Sequence, residues 1–274
     1  MYSSLPLEIW YLIFEYIKFS TKVKIKSTCK YLYKNLDIID FYNIDDRLRL
    51  KLNNKILSKY KNIQSLDISN NPNVTNIYHL KYLKFLNASG SCELNTKSIN
   101  KLNLTKLILQ NNDKITNINK LTKLEYLDIS NNDTNLKLDN LKKLKILKCS
   151  RKYYQDGINN KSIKLLNLKE LDITNNQQIY EIDHMQNLEI LHANGKSCVL
   201  NDHHIRNCIN LKELYISDNP KIITVNHLTN LKVLDISQNS GVNHDGIKEI
   251  KNLDVLNIKN NFNINEDKLP FVKK

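Results

Sequence analysis

Residues 124–132 read LEYLDISNN, and this stretch decides the fold because close copies of it recur along the chain. Leucine or isoleucine stands at its first, fourth and sixth positions, and asparagine stands at the ninth. Apolar residues that alternate at the fourth and sixth positions are typical of a strand with one buried face. The asparagine that follows suits a turn, because its amide can hydrogen-bond nearby backbone groups. A single unit cannot bury its own apolar face, so the pattern predicts stacked copies.

The copies follow one another at intervals of roughly 20 to 24 residues, which is the period of leucine-rich repeats. Seven of them keep the asparagine, and they begin at Ile63, Leu104, Leu124, Leu168, Leu211, Leu231 and Leu253. Three degenerate copies begin at Leu83, Leu144 and Leu188, and carry Ser91, Lys152 and Lys196 instead. We expect these three coils to turn differently. The fold class is therefore α/β, a leucine-rich-repeat solenoid with parallel strands on its concave face.

The solenoid is expected to span residues 44–274, with about ten repeats over 63–274 and an irregular first coil over 44–62. In that first coil Leu48, Leu50 and Leu52 alternate as in a strand, and Ile56 and Leu57 can begin a capping helix. The longer return segments at 197–210 and 241–252 predict short helices. The tail is expected to close the far end.

Residues before the repeats form a separate head, which begins SSLPLEIWYLIFEYIKFS at 3–20. Pro6 suits the start of a helix, with Ser3 or Ser4 as its N-cap, and isoleucines then recur at helical spacing. Ser20 can cap a second helix, and KYLYKNL at 30–36 predicts a third. Three helices in so short a segment make a very small core. The head therefore needs to bury its apolar surface against a partner protein or against the end of the solenoid.

The head resembles an F-box over residues 1–40, on Leu-Pro-Leu-Glu-Ile at 5–9, Ile-Phe-Glu-Tyr-Ile at 13–17 and Cys-Lys-Tyr-Leu-Tyr at 29–33. It departs from the family pattern at Tyr33, where tryptophan is frequent, and at Val23 and Ile25, which occupy the middle segment with lysines. The resemblance implies docking on the Skp-family adaptor of a cullin-based SCF ubiquitin ligase. The residues implied in that contact are Leu5, Pro6, Glu8, Ile9, Ile13, Phe14, Ile17, Cys29 and Leu32. The alternative is a helical cap that closes the first coil.

The outward positions of the strands are expected to form a target-binding concave face. Its candidate contact residues are Phe85, Ile108, Tyr126, Asp128, Glu170, Asp172, His192, Tyr215 and Asp235. Aromatic and apolar side chains mixed with acids suit protein recognition; the alternative is that they merely pack as cross-strand pairs. Six acids, Asp67, Asp128, Glu170, Asp172, Glu213 and Asp235, stand there against three lysines, Lys106, Lys148 and Lys259. A phosphate-binding face is therefore disfavoured.

Composition narrows the function further. The net charge of +13 accompanies abundant lysine, asparagine and isoleucine, as an AT-rich genome would produce. The five glycines are scattered, which disfavours a phosphate-binding loop. His203, His204, Cys198 and Cys208 are close in sequence, but they lack C-x-x-C spacing, so we expect buried cysteines rather than zinc.

The head contains Glu8 and Glu15 and has no basic segment before it, so it predicts neither a signal peptide nor a membrane span. Five cysteines, an odd number, agree with an intracellular, cytoplasmic protein. The residue bias and short coils resemble proteins of giant amoebal DNA viruses, mimivirus-like, which would place the chain in host cytoplasm.

We therefore expect a substrate-recognition adaptor of an SCF-type ligase, not an enzyme, without cofactor or metal. Its partners would be a Skp-family adaptor with its cullin ligase and an unknown target protein, with no nucleic acid and no membrane. The alternative is a leucine-rich-repeat scaffold, inhibitor or Skp decoy without ligase function.

Overall fold

The structure, a computed structural model, describes residues 5–42, 44–152 and 157–265. These residues form two compact units, divided between Leu124 and Glu125. The expected N-caps Ser3 and Ser4 and the closing tail from residue 266 lie outside the described residues.

The first unit begins with the helical head and continues into parallel coils. Its elements are α1 (Leu7–Tyr16), α2 (Phe19–Thr28), α3 (Lys30–Asn35), β1 (Asp40–Phe41), α4 (Asp46–Lys51), α5 (Asn54–Leu57), β2 (Ser65–Asp67), β3 (Phe85–Asn87), α6 (Thr96–Ile99) and β4 (Lys106–Ile108). Strand β1 pairs with β2, β2 with β3 and β3 with β4, all in parallel. The three predicted helices of the head are confirmed.

The second unit consists of seven further coils with short connections. Its elements are β5 (Tyr126–Asp128), β6 (Ile146–Lys148), α7 (Asn160–Ile163), β7 (Glu170–Asp172), β8 (Ile190–His192), α8 (Asp202–Ile205), β9 (Glu213–Tyr215), β10 (Val233–Asp235), α9 (His244–Ile247) and β11 (Val255–Asn257). Each strand from β5 to β11 pairs in parallel with the next. Helices α8 and α9 confirm the short helices predicted for the two longer return segments.

Each of the ten predicted repeats carries one strand, and the fourth residue of the first nine is fully buried, whereas Leu256 of the last repeat is half-buried. In the second unit these residues lie in register across the strands; Leu127, Leu147, Leu171, Leu191, Leu214 and Leu234 are all fully buried. Burying a leucine side chain stabilises the fold by roughly 1.5–3 kcal/mol. Each coil obtains this gain only from its neighbours, which explains why the pattern must repeat.

Buried asparagines end the strands, as the pattern predicts. The asparagines of six coils are buried: Asn71, Asn112, Asn132, Asn176, Asn219 and Asn261. Asn219 is representative, because its Nδ2 donates to the Ala193 carbonyl at 3.0 Å and its Oδ1 accepts from the Lys221 amide at 3.0 Å. The side chain thus joins one coil to the next and closes its own turn.

The remaining expected asparagine, Asn239, is an exception to this pattern. Its side chain is exposed and donates to Asp218 at 3.0 Å, whereas the neighbouring Ser240 is buried. The coil is closed through backbone instead, where the Gly241 amide donates to the Asn219 carbonyl. A Cβ on Gly241 would lie 2.4 Å from the Pro220 carbonyl oxygen, so glycine is required for this close approach.

The degenerate coils lack the buried asparagine, but two of them keep the left-handed residue that precedes it in the regular coils. Gly90 and Gly195 adopt positive φ angles of 66° and 90°, as Asn131 does at the same repeat position with 54°. A Cβ at either residue would collide with the side chain of Asn70 or Asn175, respectively. In the third degenerate coil the Arg151 guanidinium is buried and donates to the Asn132 carbonyl at 2.7 Å.

The first coil differs from the sequence prediction. Leu48 and Leu50 lie on the helix α4, and Leu52 follows it, so the strand predicted there is wrong. Asp45 starts this helix, because its carboxylate accepts from the Arg47 amide at 2.8 Å. The first strand of the sheet is β1, four residues before the predicted repeat boundary at 44. The helix predicted near Ile56 and Leu57 is present as α5, but these two residues end it and do not begin it.

Candidate partner-binding surfaces

Helix α1 has two apolar faces with different environments. Trp10 and Phe14, four residues apart, are each only 5% exposed and face the core of the first unit. The other face carries Ile9, Leu12 and Tyr16, which are 40%, 52% and 87% exposed, and Leu5, two residues before the helix, is 41% exposed. We call these four residues the α1 stripe. The spacing of three and four residues from Ile9 to Tyr16 places those three side chains on one side of the helix.

The inward face of the head is tied to the first coil of the solenoid. Phe41 of β1 is fully buried, and its ring meets Phe19 at 4.8 Å and Tyr60 at 4.9 Å between centroids. The Tyr11 hydroxyl accepts from the Asp37 amide at 3.2 Å. The head therefore caps the solenoid with one side and exposes apolar residues on the other.

The residues predicted to bind an adaptor fall into three groups. Leu5, Pro6, Glu8 and Ile9 are exposed, and Ile13, Ile17 and Cys29 are half-buried. Phe14 and Leu32 lie in the core, with Leu32 fully buried, so they cannot offer contact area without rearrangement. The Cys29 thiol accepts from the Leu32 amide at 3.4 Å and so caps α3. Burial thus removes Phe14 and Leu32 from the candidate contact set.

The structure adds Leu12 and Tyr16, which the sequence analysis missed. The helical spacing from Ile9 could have found them, because it continues to both residues. The F-box resemblance drew attention instead to the motif residues, some of which pack inward.

The second helix of the head starts differently from the prediction. Helix α2 begins at Phe19 with Lys18 in the cap position, so Ser20 lies inside the helix and does not cap it.

Among the described residues, no helix is long and apolar enough to cross a membrane.

The sheet face of the first unit carries an aromatic contact at its predicted site residue Phe85. The Tyr42 ring lies 4.4 Å from the Phe85 ring, and the Lys106 ammonium lies 4.7 Å from the same ring centroid. Ile108, the other predicted residue of this face, is half-buried on β4. Tyr42 follows β1, and the expected boundary at residue 44 had excluded it from the solenoid.

The sheet face of the second unit brings together predicted residues from four adjacent strands. The strand register places Asp172, His192, Tyr215 and Asp235 in one row, and Glu170, Ile190, Glu213 and Val233 in the next. The His192 and Tyr215 rings stack in parallel, with centroids 4.3 Å apart and planes 6° apart. All of these side chains are half-buried. The predicted Tyr126 is half-buried on β5 of the same unit.

The aspartates of this face have a local structural role. Asp172 accepts from the Thr174 amide at 3.0 Å, and Asp235 accepts from the Ser237 amide at 2.9 Å. Asp128 makes the same contact with the Ser130 amide at 3.0 Å, but its residue is only 4% exposed. Asp128 can therefore contribute little contact area, in contrast to its expected role. Asp172 and Asp235 are half-buried, so part of each side chain remains accessible to a partner.

Ionisation of this face is shaped by two contacts. The hydrogen bond from the Tyr215 hydroxyl to Glu213, at 2.8 Å, together with burial raises the pKa of Tyr215. Burial favours the neutral form of Lys148, but its hydrogen bond to Glu170 at 3.1 Å prevails and raises the pKa of Lys148. Lys148 therefore remains cationic and partly neutralises Glu170.

The two cysteines of the apparent zinc cluster lie in the core. Cys198 and Cys208 are fully buried, and burial raises the pKa of these thiols to about 11 and about 12. His203 is exposed. A metal would require the thiolate forms of both cysteines, which burial disfavours.

Comparisons with solved structures find leucine-rich-repeat proteins. TLR13, from a complex with the RNA ssRNA13, matches with a TM-score of 0.52 at 23% identity; the alignment covers 77% of this chain and 38% of TLR13. Rad7, from the yeast Rad7–Elc1 complex, matches with a TM-score of 0.50 at 17% identity, over 80% of this chain and 69% of that one. An internalin, InlF from Listeria monocytogenes, has a TM-score of 0.48 at 21% identity, over 77% and 72%.

At these identities the likeness to TLR13 and Rad7 shows the fold alone. The predicted leucine-rich-repeat solenoid is thereby confirmed. No protein-family model and no curated protein matches the sequence.

Proposed function

We propose that this chain is a substrate-recognition adaptor of an SCF-type ubiquitin ligase. The α1 stripe would dock on a Skp-family adaptor, and the sheet faces of the repeats would hold a target protein. The observation that carries the proposal is the α1 stripe itself, because a soluble domain rarely exposes adjacent apolar side chains without a use for them. The F-box resemblance over residues 1–40 implies a Skp-family adaptor as the partner.

The comparisons support the protein-binding part of this proposal. Rad7 forms a complex with Elc1, so a chain of this fold has a protein partner in that structure. TLR13 is bound to RNA in its complex. For the present chain we favour protein, because the carboxylates of the second unit's sheet face would repel phosphate groups.

In this role the chain would supply no reacting group. The target lysine would be held near ubiquitin carried by another enzyme, which raises its effective concentration. The chain would act in the cytoplasm with a cullin ligase, in the host cytoplasm if its origin is viral.

A second candidate function follows from the inward face of the head. Because Trp10, Phe14 and Phe41 already close the first coil, the head has a structural task without any adaptor. The chain would then serve as a scaffold or an inhibitor; the variant of this alternative, a decoy that occupies the Skp adaptor without delivering a target, would still use the α1 stripe.

The test is association of the purified chain with a Skp-family adaptor. We expect Ile9→Asp/Leu12→Asp to weaken binding by at least about tenfold, since buried apolar anchors dominate interfaces. The matched control is Leu165→Asp, because Leu165 is 56% exposed and lies in the second unit. If the wild-type chain does not associate with the adaptor, the ligase proposal is rejected and the scaffold function remains. Equal binding by the double variant would reject the α1 stripe as the contact.

The decoy is separated from the adaptor by a second measurement. A reconstituted ligase is supplied with the chain, and ubiquitination of any protein that co-purifies with the repeats is followed. An adaptor increases this modification, whereas a decoy decreases modification of substrates of other F-box proteins.

A further inference from the structure

The sheet face of the second unit has a distinctive centre that points to the chemistry of its ligand. Two carboxylates, Asp172 and Asp235, flank the stacked His192 and Tyr215 rings in one row across β7 to β10. Glu170 and Glu213 stand in the adjacent row. We call these six residues the acidic–aromatic patch. Its two rows are continuous with the face to which the proposed function assigns target binding.

The charge of the patch is only partly neutralised within the protein. Asp172 and Asp235 accept hydrogen bonds from neutral donors, namely backbone amides and, for Asp235, the Asn257 side chain at 3.0 Å. An ionised carboxylate can accept about four hydrogen bonds, so both keep capacity for a further donor. Glu170 has a cationic partner, Lys148 at 3.1 Å. The patch therefore retains negative charge in a chain whose net charge is +13.

We infer that the acidic–aromatic patch binds an extended, arginine-containing polypeptide segment. The inference rests on the proposed function, since it names the class of target that this face would hold. Guanidinium groups pair with carboxylates and also stack on aromatic rings, whereas an ammonium is a compact, strongly hydrated charge. The His192 and Tyr215 rings cover each other's inner faces, and each outer face is turned toward a carboxylate, which suits a guanidinium that can both stack and pair.

The spacing of the patch specifies how the arginines would be arranged. Neighbouring strands lie about 4.8 Å apart, so three steps from β7 to β10 separate Asp172 from Asp235 by about 14 Å. In an extended peptide, side chains on one face recur about every 6.8 Å. Arginines at i and i+4 would then reach the two carboxylates, each beside the outer face of the His192 or Tyr215 ring, and the arginine at i+2 would lie above the ring edges.

The experiment measures binding of labelled peptides to the full chain by fluorescence anisotropy. The probe is Gly-Arg-Gly-Arg-Gly-Arg-Gly, and a contiguous isomer, Gly-Gly-Arg-Arg-Arg-Gly-Gly, has the same charge and composition. Peptides with lysine or glutamate in place of arginine complete the set. We expect the alternating arginine peptide to bind about threefold or more tighter than its isomer or the lysine peptide, and the glutamate peptide not to bind.

Variants of the patch test the residues directly. Asp172→Asn/Asp235→Asn should weaken binding of the alternating peptide about tenfold. Asparagine preserves the turn, because the chain itself uses Asn87 and Asn257 in this slot, where their side chains accept from the amide two residues later at 3.2 Å. The control is Asp254→Asn, which removes one exposed carboxylate before β11, off the patch, and should leave binding unchanged.

A gain-of-binding variant keeps the test decisive if the double variant is poorly folded. Lys148→Met removes the cation that neutralises Glu170 and should tighten peptide binding about threefold. The inference is overturned if the glutamate peptide binds equally well, if both arginine peptides bind equally, or if Lys148→Met weakens binding. No Skp adaptor is present in these measurements, so a failure of adaptor docking would not affect their result.

Discussion

The buried asparagine Asn219 offers a quantitative test of how the coils are held together. Its side chain is fully buried and joins two backbone groups, the Ala193 carbonyl of the preceding coil and the Lys221 amide of its own turn. Asn219→Ala removes both hydrogen bonds without replacing either partner. Water cannot easily compensate at the Ala193 carbonyl, because Ala193 is itself fully buried.

The expected loss follows from these two orphaned groups. A buried polar group left unsatisfied costs about 1–3 kcal/mol, and the Lys221 amide is only partly buried, so it should lie at the lower end. We therefore expect Asn219→Ala to lower the free energy of unfolding by about 2–4 kcal/mol. With a urea dependence of about 3 kcal/mol/M, the unfolding midpoint should fall by about 1 M.

The measurement is urea unfolding followed by circular dichroism, with Asn230→Ala as the matched control. Asn230 also donates from Nδ2 to a carbonyl of the preceding coil, that of Ile209 at 2.9 Å, but its side chain is exposed. Water can replace that bond, so the control should cost less than about 1 kcal/mol.

Hydrogen exchange at the Lys221 amide provides a second readout that does not assume two-state unfolding, which repeat proteins often violate. Equal midpoint shifts in both variants, or unchanged exchange at Lys221 in Asn219→Ala, would refute the reasoning that burial sets the value of this asparagine.

Three further predictions concern the head, a turn and the thiols. Phe41→Ala should lower the free energy of unfolding by about 3–5 kcal/mol, because the ring is fully buried against Phe19 and Tyr60. Limited proteolysis should then cleave the head first. A head that stays uncleaved would contradict its role as a cap of the solenoid. Gly195→Ala should destabilise by more than about 1 kcal/mol in thermal unfolding, since φ is 90° and the new Cβ would lie 2.0 Å from Asn175 Oδ1; an unchanged midpoint would show that the turn relaxes freely. Burial raises the pKa of Cys92 and Cys198 to about 11, above the ordinary thiol value, so these thiols lose their protons at lower pH in the unfolded state and the free energy of unfolding should fall as pH rises from 9 to 11. In native protein at pH 8 a thiol reagent should modify the half-buried Cys29 before the four buried cysteines. Rapid reaction of all five would contradict this.

The sequence could predict the repeated strands because burial there is set by local position. Leu127 and Leu147 occupy the same slot of successive copies, and stacking places every such slot against the one before it. A regular period therefore determines the register without knowledge of distant contacts. The short helices at 202–205 and 244–247 were predictable for a related local reason, because they lie within the longer return segments.

The prediction failed where a local signal competed with the periodic one. Leu48, Leu50 and Leu52 alternate, but Asp45 provides a helix cap directly before them, and the helix forms. Asn239 occupies the repeat position of a buried asparagine, yet Gly241 lets the backbone close the turn without it. Both alternatives could have been weighed from capping and glycine signals.

The buried face of α1 is difficult to locate from the sequence, because apolar residues occupy every position of this helix except Glu8 and Glu15. Which face is buried depends on where the first coil packs, and that is fixed by tertiary contacts such as Phe19 with Phe41. The local role of the aspartates was also hidden. An outward Asp in a strand looks available for a partner, but Asp128 is almost fully buried while Asp172 is not.

The net charge of the chain says little about what its sheet face attracts, because charges act locally in physiological salt. At 0.1 M ionic strength the Debye length is about 10 Å, so a lysine far along the surface contributes little at the acidic–aromatic patch. Several lysines of the second unit are also paired at the strand entrances, as Lys169 and Lys212 are with Glu189 at 3.3 and 2.7 Å. A cationic segment should therefore meet weak long-range repulsion and strong short-range attraction. Moderate salt should accelerate association of the segment, because it screens the long-range repulsion. Further salt should shorten the lifetime of the complex, because it weakens the short-range attraction.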